Sequence, residues 1–479
     1  MTKTFLNCLL VACLVGCADM AGLDKHAGST LMTPDKIGAR NVEVRWPSDP
    51  WWRRYQDPSL DKLVEQALSQ SPDLHMARLR MEQAAAVAEQ TDAKISPRFS
   101  SAVQARRQRY AQAYDASAPL AGNAGSSIAV HAEAQYTFDF WGGQHAALSA
   151  AVGEMAARAA EAQAARTALA SSIVKAWIEL ARLIAARALA QEGLVLRSQT
   201  LRIVERRIQA GLDTQLERTQ AQSDLPATQR DIARLDEQIQ LQRHVMAMLV
   251  GVSIDALSSA TPRPLAALQM ETPEAVPAQL IGRRPDVVAA RWRVEVAAGE
   301  VLVAQADFYP NVSLRAFAGL GRQGRSVGLS DWLNASSRYF GIEPAISLPI
   351  FDGARLRARL KGRTAELDAA VESYNKALLG AVRDVADQIV SADALAPQSS
   401  AQREALAARR TAFDLARRQY AAGLSNYLNV LAAQNTWLHE QQQQLDLDAR
   451  SRVLDVELQR ALGGGFDAND IPTIIERKM

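Results

Sequence analysis

The side chains that most often perform catalysis or bind metals are sparse in this sequence and lie far apart. Its six histidines are His26, His75, His131, His145, His244 and His439. Their spacing does not match a zinc-binding HExxH helix, and the chain has no GxSxG nucleophile turn. Residues 319–324 fit a GxGxxG pattern, but a polar loop and a strand follow instead of the helix that a dinucleotide site requires. The sequence therefore predicts no enzymatic activity, no metal site and no bound cofactor.

All three cysteines lie within the first 17 residues, in a segment with the features of an export signal. An apolar run over residues 5–15 is too short to span a bilayer, and it ends in the motif LVGC. This motif resembles the lipobox of bacterial lipoproteins, in which cleavage precedes the cysteine and lipid is attached to it. The resemblance implies a signal peptide over residues 1–16, a covalent lipid on Cys17 and a tether over residues 17–50. The alternative is an ordinary secretory signal that contains cysteines by chance.

The residues after Cys17 bear on where such a lipoprotein would be delivered. In similar lipoproteins, an aspartate directly after the cysteine retains the protein at the inner membrane. Here that position is Ala18, and an aspartate follows only at Asp19. We therefore expect the protein in the outer membrane. Cleavage would leave Cys17 as the only cysteine, so no intramolecular disulfide is expected.

The composition is that of a large folded protein. The chain has 479 residues, of which 48% are hydrophobic and 22% are charged, so it can bury a substantial core and form more than one domain. Its formal net charge is only +2, which provides no broad basic surface for a phosphate backbone. Nucleic acid is therefore not expected as a partner.

The sequence contains two copies of one unit. Short motifs recur in the same order, 212 or 213 residues apart: Pro72 as Pro285, Pro97 as Pro310, and Gly211 as Gly423. Such a nearly constant shift indicates a tandem repeat. We assign the copies to residues 51–252 and 278–465. A proline-rich linker over residues 253–277 joins them, and a tail over residues 466–479 follows.

Each copy has a helical pattern too long for an ordinary globular domain. Residues 142–209 contain no proline, and a helix of that length would extend about 100 Å. Apolar residues recur there every seven positions, including Ile173 and Leu180, as in a coiled coil. Ala-Gly-Leu motifs at 210–212 and 422–424 predict turns into returning helices, which gives two antiparallel pairs. A coiled-coil rod without a pore is the alternative.

Four segments alternate between apolar and polar residues with the period of two that strands have. They are residues 99–107, 128–141, 311–322 and 340–350. They predict two hairpins, one per copy, with the apolar outer and polar inner faces of a membrane barrel. A sheet in lipid must close on itself, and barrels begin at about eight strands, so several chains must combine their hairpins. A soluble β-sandwich is the alternative.

Together these features resemble the TolC/OprM-like outer-membrane efflux proteins. The most specific segments are YTFDFWG at 136–142 and SLPIFDG at 347–353, each at the junction between a strand and a long helix. The resemblance covers about residues 51–465. It implies a mainly α protein with β-strands, in a trimer with a barrel of twelve strands and a tunnel of long helices. It also implies a periplasmic adaptor and an inner-membrane efflux transporter as partners.

The resemblance also assigns roles to residues near the two turns. Adaptor docking is implied at Gly211, Leu212, Gly423 and Leu424. Family members often narrow the tunnel with an aspartate six residues after each turn glycine, where this chain has Glu217 and Asn429. We expect a ring of Glu217 from three chains to favour cations and to bind arginines near the turns; a solvated surface glutamate is the alternative. These arginines are Arg206, Arg207, Arg417 and Arg418.

The function that follows is a passive exit duct for small molecules. The lipobox favours small-molecule efflux, since many similar efflux channels carry one. The exit channel of a protein-secretion system is an alternative within transport. A structural envelope lipoprotein with a coiled-coil stalk is an alternative outside it.

Overall fold

The chain folds into two successive units that share one order of elements: helices, a β-hairpin and a pair of long helices. The computed structural model describes residues 19–23, 27–113, 120–264, 270–325, 327 and 334–470. The first unit contains α1 (Pro58–Gln70), α2 (Pro72–Ile95), β1 (Arg98–Arg109), β2 (Ala124–Phe138), α3 (Gly143–Gln209) and α4 (Gln215–Val250). The second contains α5 (Leu280–Arg283), α6 (Pro285–Ala306), β3 (Asn311–Gly324), β4 (Arg338–Ser347), α7 (Gly353–Ala421) and α8 (Tyr427–Ala461). The prediction of a mainly helical chain with four strands is confirmed.

The helices α3 and α7 are unbroken over 67 and 69 residues, so each is about 100 Å long. In each unit the chain then returns as a shorter helix, α4 with 36 residues or α8 with 35. The heptad residues Ile173 and Leu180 of α3 are fully buried, as is Tyr420 of α7. These residues are buried in clusters that include residues of the returning helices α4 and α8, which confirms the predicted coiled-coil packing of the paired helices.

The turns that join the paired helices depend on glycine. Gly211 has a φ of 71°, a left-handed conformation that glycine adopts without a steric penalty. The N–H of Leu212 then donates to the carbonyl of Arg207 at 2.8 Å, which closes the end of α3. The second turn repeats this geometry at Gly423, with φ of 79°, and at Leu424. Both predicted turns are therefore confirmed.

The four strands form one antiparallel sheet in the order β1-β2-β3-β4. Pairing of β2 with β3 joins the two hairpins, so β1 and β4 lie at the edges. The register is continuous in all three pairs, and alternate residues of each strand therefore lie on one face throughout. Both predicted hairpins are confirmed. The described chain forms a single sheet, which argues against a two-sheet sandwich within one chain.

The predicted strand boundaries are wrong by up to four residues: β2 begins at Ala124 instead of residue 128, and two strands end earlier than predicted. β2 ends at Phe138 instead of continuing to residue 141, because the carboxylate of Asp139 accepts from the N–H of His145 and helps to start α3. β4 ends at Ser347, shortly before Pro349, which cannot donate a backbone hydrogen bond. In the sequence, apolar and polar residues continue to alternate beyond both of these strand ends. The alternation therefore does not show where the strands end.

Apolar cores lie between the short and long helices, and some of them include residues of both units. In the first unit, Trp52, Ile173 and Met246 are buried in one cluster that joins α3 and α4 to the segment before α1. In the second, Val287 of α6 and Leu378 of α7 are buried in a cluster that also includes the end of α8. These cores pack the short helices against the long helices.

The segment that precedes the first unit lies along α7. Arg357 donates to the carbonyl oxygens of Asp19 and Ala21 at 2.6 and 3.0 Å. Further on, the side-chain amide of Asn375 donates to the carbonyl of Thr30 at 3.1 Å. The tether is therefore held against the helix. Among the described residues, no helix is both long enough and apolar enough to cross a membrane.

Candidate functional site

One face of the sheet is apolar over most of its length. This apolar face carries the odd-numbered residues of β1 and the even-numbered residues of β2, β3 and β4. In the single chain, Phe340 is 85% exposed and Ile342 is 73% exposed. So much exposed apolar surface on one face is unfavourable in water. It is the arrangement of strands that face lipid.

The opposite face, here called the polar face, has an ion-pair network that crosses the strands. Arg315 of β3 lies between two carboxylates, at 2.6 Å from Glu133 of β2 and 3.3 Å from Glu343 of β4. Glu133 also accepts a hydrogen bond of 3.0 Å from the hydroxyl of Ser100 on β1. Four strands are thus linked by side chains as well as by backbone bonds. Charged groups of this kind need water, so this face suits the wall of an aqueous pore.

Two aromatic rings on the polar face lie against glycines of the neighbouring strand. A methyl group on Gly341 would lie 2.6 Å from the ring of Phe317, and one on Gly321 would lie 3.0 Å from the ring of Tyr339. The glycines let the rings cover the backbone, which shields strand positions that lack a side chain.

Aromatic residues cluster where the strands meet the long helices. Trp141 stacks on Tyr309 with ring centroids 4.6 Å apart, and its indole N–H donates to the carbonyl of Pro310 at 2.8 Å. Phe140 is 64% exposed and Phe351 is fully exposed. Aromatic rings with a polar group are typical of the boundary between membrane and water. This boundary therefore lies at the junction of sheet and helices.

At the opposite end of the long helices, a polar cluster links the two turns. The guanidinium of Arg207 lies 3.0 Å from Asp213 and donates to the carbonyl of Tyr420 at 3.0 Å. It also stacks over the Tyr420 ring at 4.5 Å, and the Tyr420 hydroxyl donates to Asp213. Burial raises the pKa of Tyr420, and the bond to Asp213 raises it further. The cluster joins the first turn to the end of α7.

Asp213 and Tyr420 were not predicted as site residues. Arg207 was predicted only as one of several arginines near the turns. The available signals were the heptad position of Tyr420, which predicted burial, and the position of Asp213 directly after the first turn. Neither signal shows that the two side chains meet, because they are 207 residues apart.

Glu217 has a different partner from the one expected. Within the described part of one chain, its carboxylate accepts from the backbone N–H of Thr214 at 3.0 Å and pairs with no arginine. The two residues form a capping box at the start of α4, and the Thr214 hydroxyl lowers the pKa of Glu217. Asn429 holds the equivalent position in α8, where its N–H donates to the Asn426 side chain at 3.1 Å. A Glu217 ring between chains stays a prediction.

The predicted docking residues lie at the surface of this end of the molecule. Leu212 is 63% exposed and Leu424 is 81% exposed, each directly after its turn glycine. Each turn therefore presents one leucine to solvent. Cys17, the predicted lipid site, lies outside the described residues.

Comparison with known proteins identifies this architecture. The model of the outer membrane efflux protein family matches residues 63–252 and 276–464, which is most of the chain. The chain belongs to the outer membrane efflux protein family. It is an efflux channel protein of the outer membrane, and its activity is transport, not catalysis. The predictions of family, localisation and non-enzymatic function are confirmed.

Individual relatives agree with this assignment. The multidrug resistance outer membrane protein MdtP of Escherichia coli (strain K12) is 30% identical over 448 residues, which cover 90% of this chain and 89% of MdtP. The pyoverdine export outer membrane protein OpmQ of Pseudomonas putida is 30% identical over 98% of this chain and 97% of OpmQ. The crystal structure of the outer membrane protein VceC of Vibrio cholerae matches with a TM-score of 0.82 and 36% identity, over 88% of this chain and all of VceC.

Proposed function

We propose that three copies of this chain form one outer-membrane exit duct for drugs or other small molecules. An inner-membrane efflux transporter and a periplasmic adaptor would deliver the cargo to the helical end. The relatives named for multidrug resistance and for pyoverdine export support small organic molecules as cargo over secreted proteins. The exposed apolar face of the sheet favours a membrane channel over a structural coiled-coil stalk.

The main evidence for a trimer is that the four-stranded sheet of a single chain is open at both edges. Among the described residues, β1 and β4 each have one edge without a strand partner, and one face of the sheet is apolar. In lipid, unpaired backbone groups at such edges cost several kcal/mol each, so neighbouring chains must pair with both edges. Three chains with four strands each give a barrel of twelve strands, which is within the range of known barrels.

Two measurements on the purified protein test this proposal. Native mass spectrometry in detergent should give the mass of three chains, and the same material should form conducting pores in planar bilayers. A monomer, or a trimer that does not conduct, would contradict it. In cells, deletion of the gene should increase retention of the transporter's substrates, and unchanged export in the deletion strain would argue against an efflux role.

The course of the tether supports a lipid on Cys17. Arg357 lies four residues into α7, beside the sheet, and it binds the carbonyls of Asp19 and Ala21. Cys17 precedes Asp19 by two residues, which span at most about 7 Å. A lipid on Cys17 would therefore begin close to the aromatic cluster that marks the membrane boundary.

Replacement of Cys17 by serine tests the anchor. We expect the Cys17→Ser protein to lose the lipid mass in intact-mass spectrometry and to retain an uncleaved signal, because signal cleavage in lipoproteins follows modification of the cysteine. Cys13→Ser, which changes a cysteine inside the predicted signal, is the matched control and should still give a lipidated protein. An unmodified cysteine in the wild-type protein would disprove the anchor.

The exposed leucines at the turns support adaptor docking at this end. We expect the double substitution Leu212→Asp and Leu424→Asp to weaken adaptor binding by at least about tenfold, because it places charge in an apolar contact. Binding of detergent-purified trimer to immobilised adaptor measures the effect. Leu31→Asp, at an exposed leucine on the tether, is the control. Equal affinity of the double variant and the wild-type protein would place docking elsewhere.

A further inference from the structure

The end of the sheet farthest from the helices carries a cluster of arginines on the apolar face. The strand register places these arginines on the apolar face, because they are odd-numbered residues of β1 or even-numbered residues of β3 and β4. The four residues are Arg107, Arg109, Arg322 and Arg338, and all are exposed. We call them the rim arginines. Since the helices lie on the periplasmic side, the rim arginines lie at the extracellular edge of the barrel.

The rim arginines begin where the apolar part of this face ends. In β2 the apolar stretch runs from Phe138 to Ile128, about 33 Å along the strand. A tilt of about 40° reduces this to about 25 Å across the membrane, the height of the lipid-facing band of known barrels. Ile128 is paired with Arg322, so the arginines lie at the level of the outer headgroups.

The charge on this face has one sign. β1 to β4 contain only two carboxylates, Glu133 and Glu343, and both lie on the polar face. There they form ion pairs with Arg315. The strands thus separate their charges by face. On the polar face Arg315 lies between two carboxylates, whereas the charged strand positions of the apolar face are all arginines.

We propose that the rim arginines bind the phosphate groups of the outer-leaflet glycolipid. A guanidinium donates two parallel hydrogen bonds to one phosphate, and its aliphatic part can lie along the edge of the acyl chains. The lipid is favoured over a soluble polyanion because the arginines continue directly from the lipid-facing band. The proposal rests on the barrel proposed above. Each trimer would hold a ring of phosphorylated lipid around its extracellular edge.

Successive residues of β1 lie on opposite faces of the sheet, so this strand provides both a test variant and a matched control. Arg106 and Arg107 are neighbours at the same height on opposite faces, and Arg98 is a second arginine of the polar face. Native mass spectrometry of delipidated trimer would measure binding of bisphosphorylated lipid A to R107Q/R109Q and to the control R98Q/R106Q. We expect R107Q/R109Q to bind at least about tenfold more weakly, since each surface arginine contributes appreciably to binding of anionic lipid. The control should bind within about twofold of the wild-type protein.

Three results would overturn the proposal. They are an equal loss in both double variants, no loss in R107Q/R109Q, or equally tight binding of lipid A from which both phosphates have been removed. If R107Q/R109Q fails to assemble, the single variant R338Q gives the same comparison. Bilayer conductance of each variant separates this proposal from the proposed channel function. Conductance should persist when lipid binding is lost, whereas a wild-type protein without conductance would refute the channel itself.

Discussion

Replacement of Ile342 by arginine is expected to prevent assembly of the channel in the membrane. Ile342 lies on the apolar face directly opposite Ala316, which in turn lies opposite Ala134, near the middle of the apolar stretch of β2. A charged side chain at the bilayer midplane costs about 2–4 kcal/mol, and a trimer contains the substitution three times, so the total is about 6–12 kcal/mol. The amount of heat-resistant trimer in outer-membrane fractions, on gels run without heating, measures the effect.

The control for this substitution lies three residues away. Ala345 is an exposed residue of the same strand, but it lies on the polar face, so Ala345→Arg places the same charge in the aqueous pore. We expect Ala345→Arg to assemble at close to the wild-type amount. A similar loss of assembled trimer in both variants would mean that the two faces do not differ in their contact with lipid and water. The assignment of the apolar face to lipid would then be wrong.

Replacement of Arg284 by methionine is expected to destabilise the helical body strongly. The side chain of Arg284 is only 6% exposed, and it bridges Asp286 at 2.6 Å and Asp384 at 3.1 Å. This links the start of α6 to α7. Removal of one partner from a buried ion pair costs about 3–5 kcal/mol, because a charge is left without its counterion. Urea unfolding followed by tryptophan fluorescence measures the loss.

Arg383 provides a control with the same carboxylate. It lies 3.0 Å from Asp384, but its side chain is 71% exposed. Exposed ion pairs contribute little to stability, so Arg383→Met should leave the free energy of unfolding close to the wild-type value. Equal effects at Arg284 and Arg383 would show that burial does not determine the strength of this pair.

The same cluster predicts a dependence of stability on pH. Burial opposes ionisation of Asp384, yet hydrogen bonds from Arg383 and Arg284 hold its pKa below the usual value. A lowered pKa in the folded state stabilises the protein above the unfolded pKa of about 4, and this contribution is lost as pH falls through the folded value. Asp384→Asn should therefore be less stable than the wild-type protein at pH 7, and the difference should shrink below about pH 4. A constant difference would contradict the ion pair.

The sequence alone determined the features that depend on local periodicity. The period of two in β2 predicted which residues share the apolar face, and the period of seven around Ile173 predicted the coiled-coil contacts of α3. Gly211 and Gly423 marked both turns, since a left-handed residue after a helix favours glycine. Each feature is set by neighbours within about one or two turns of chain, so a short segment contains the information. The recurrence of one unit then placed the same elements in both halves.

Only the tertiary structure decided which charged groups meet. Arg315 and Glu133 are 182 residues apart, Tyr420 and Asp213 are 207 apart, and Arg284 and Asp384 are 100 apart. The chain has 54 basic and 52 acidic residues, so the sequence offers many possible partners for each. The choice depends on the register between β2 and β3 and on how α7 packs against its neighbours. Both arise from long-range contacts, which no local pattern encodes.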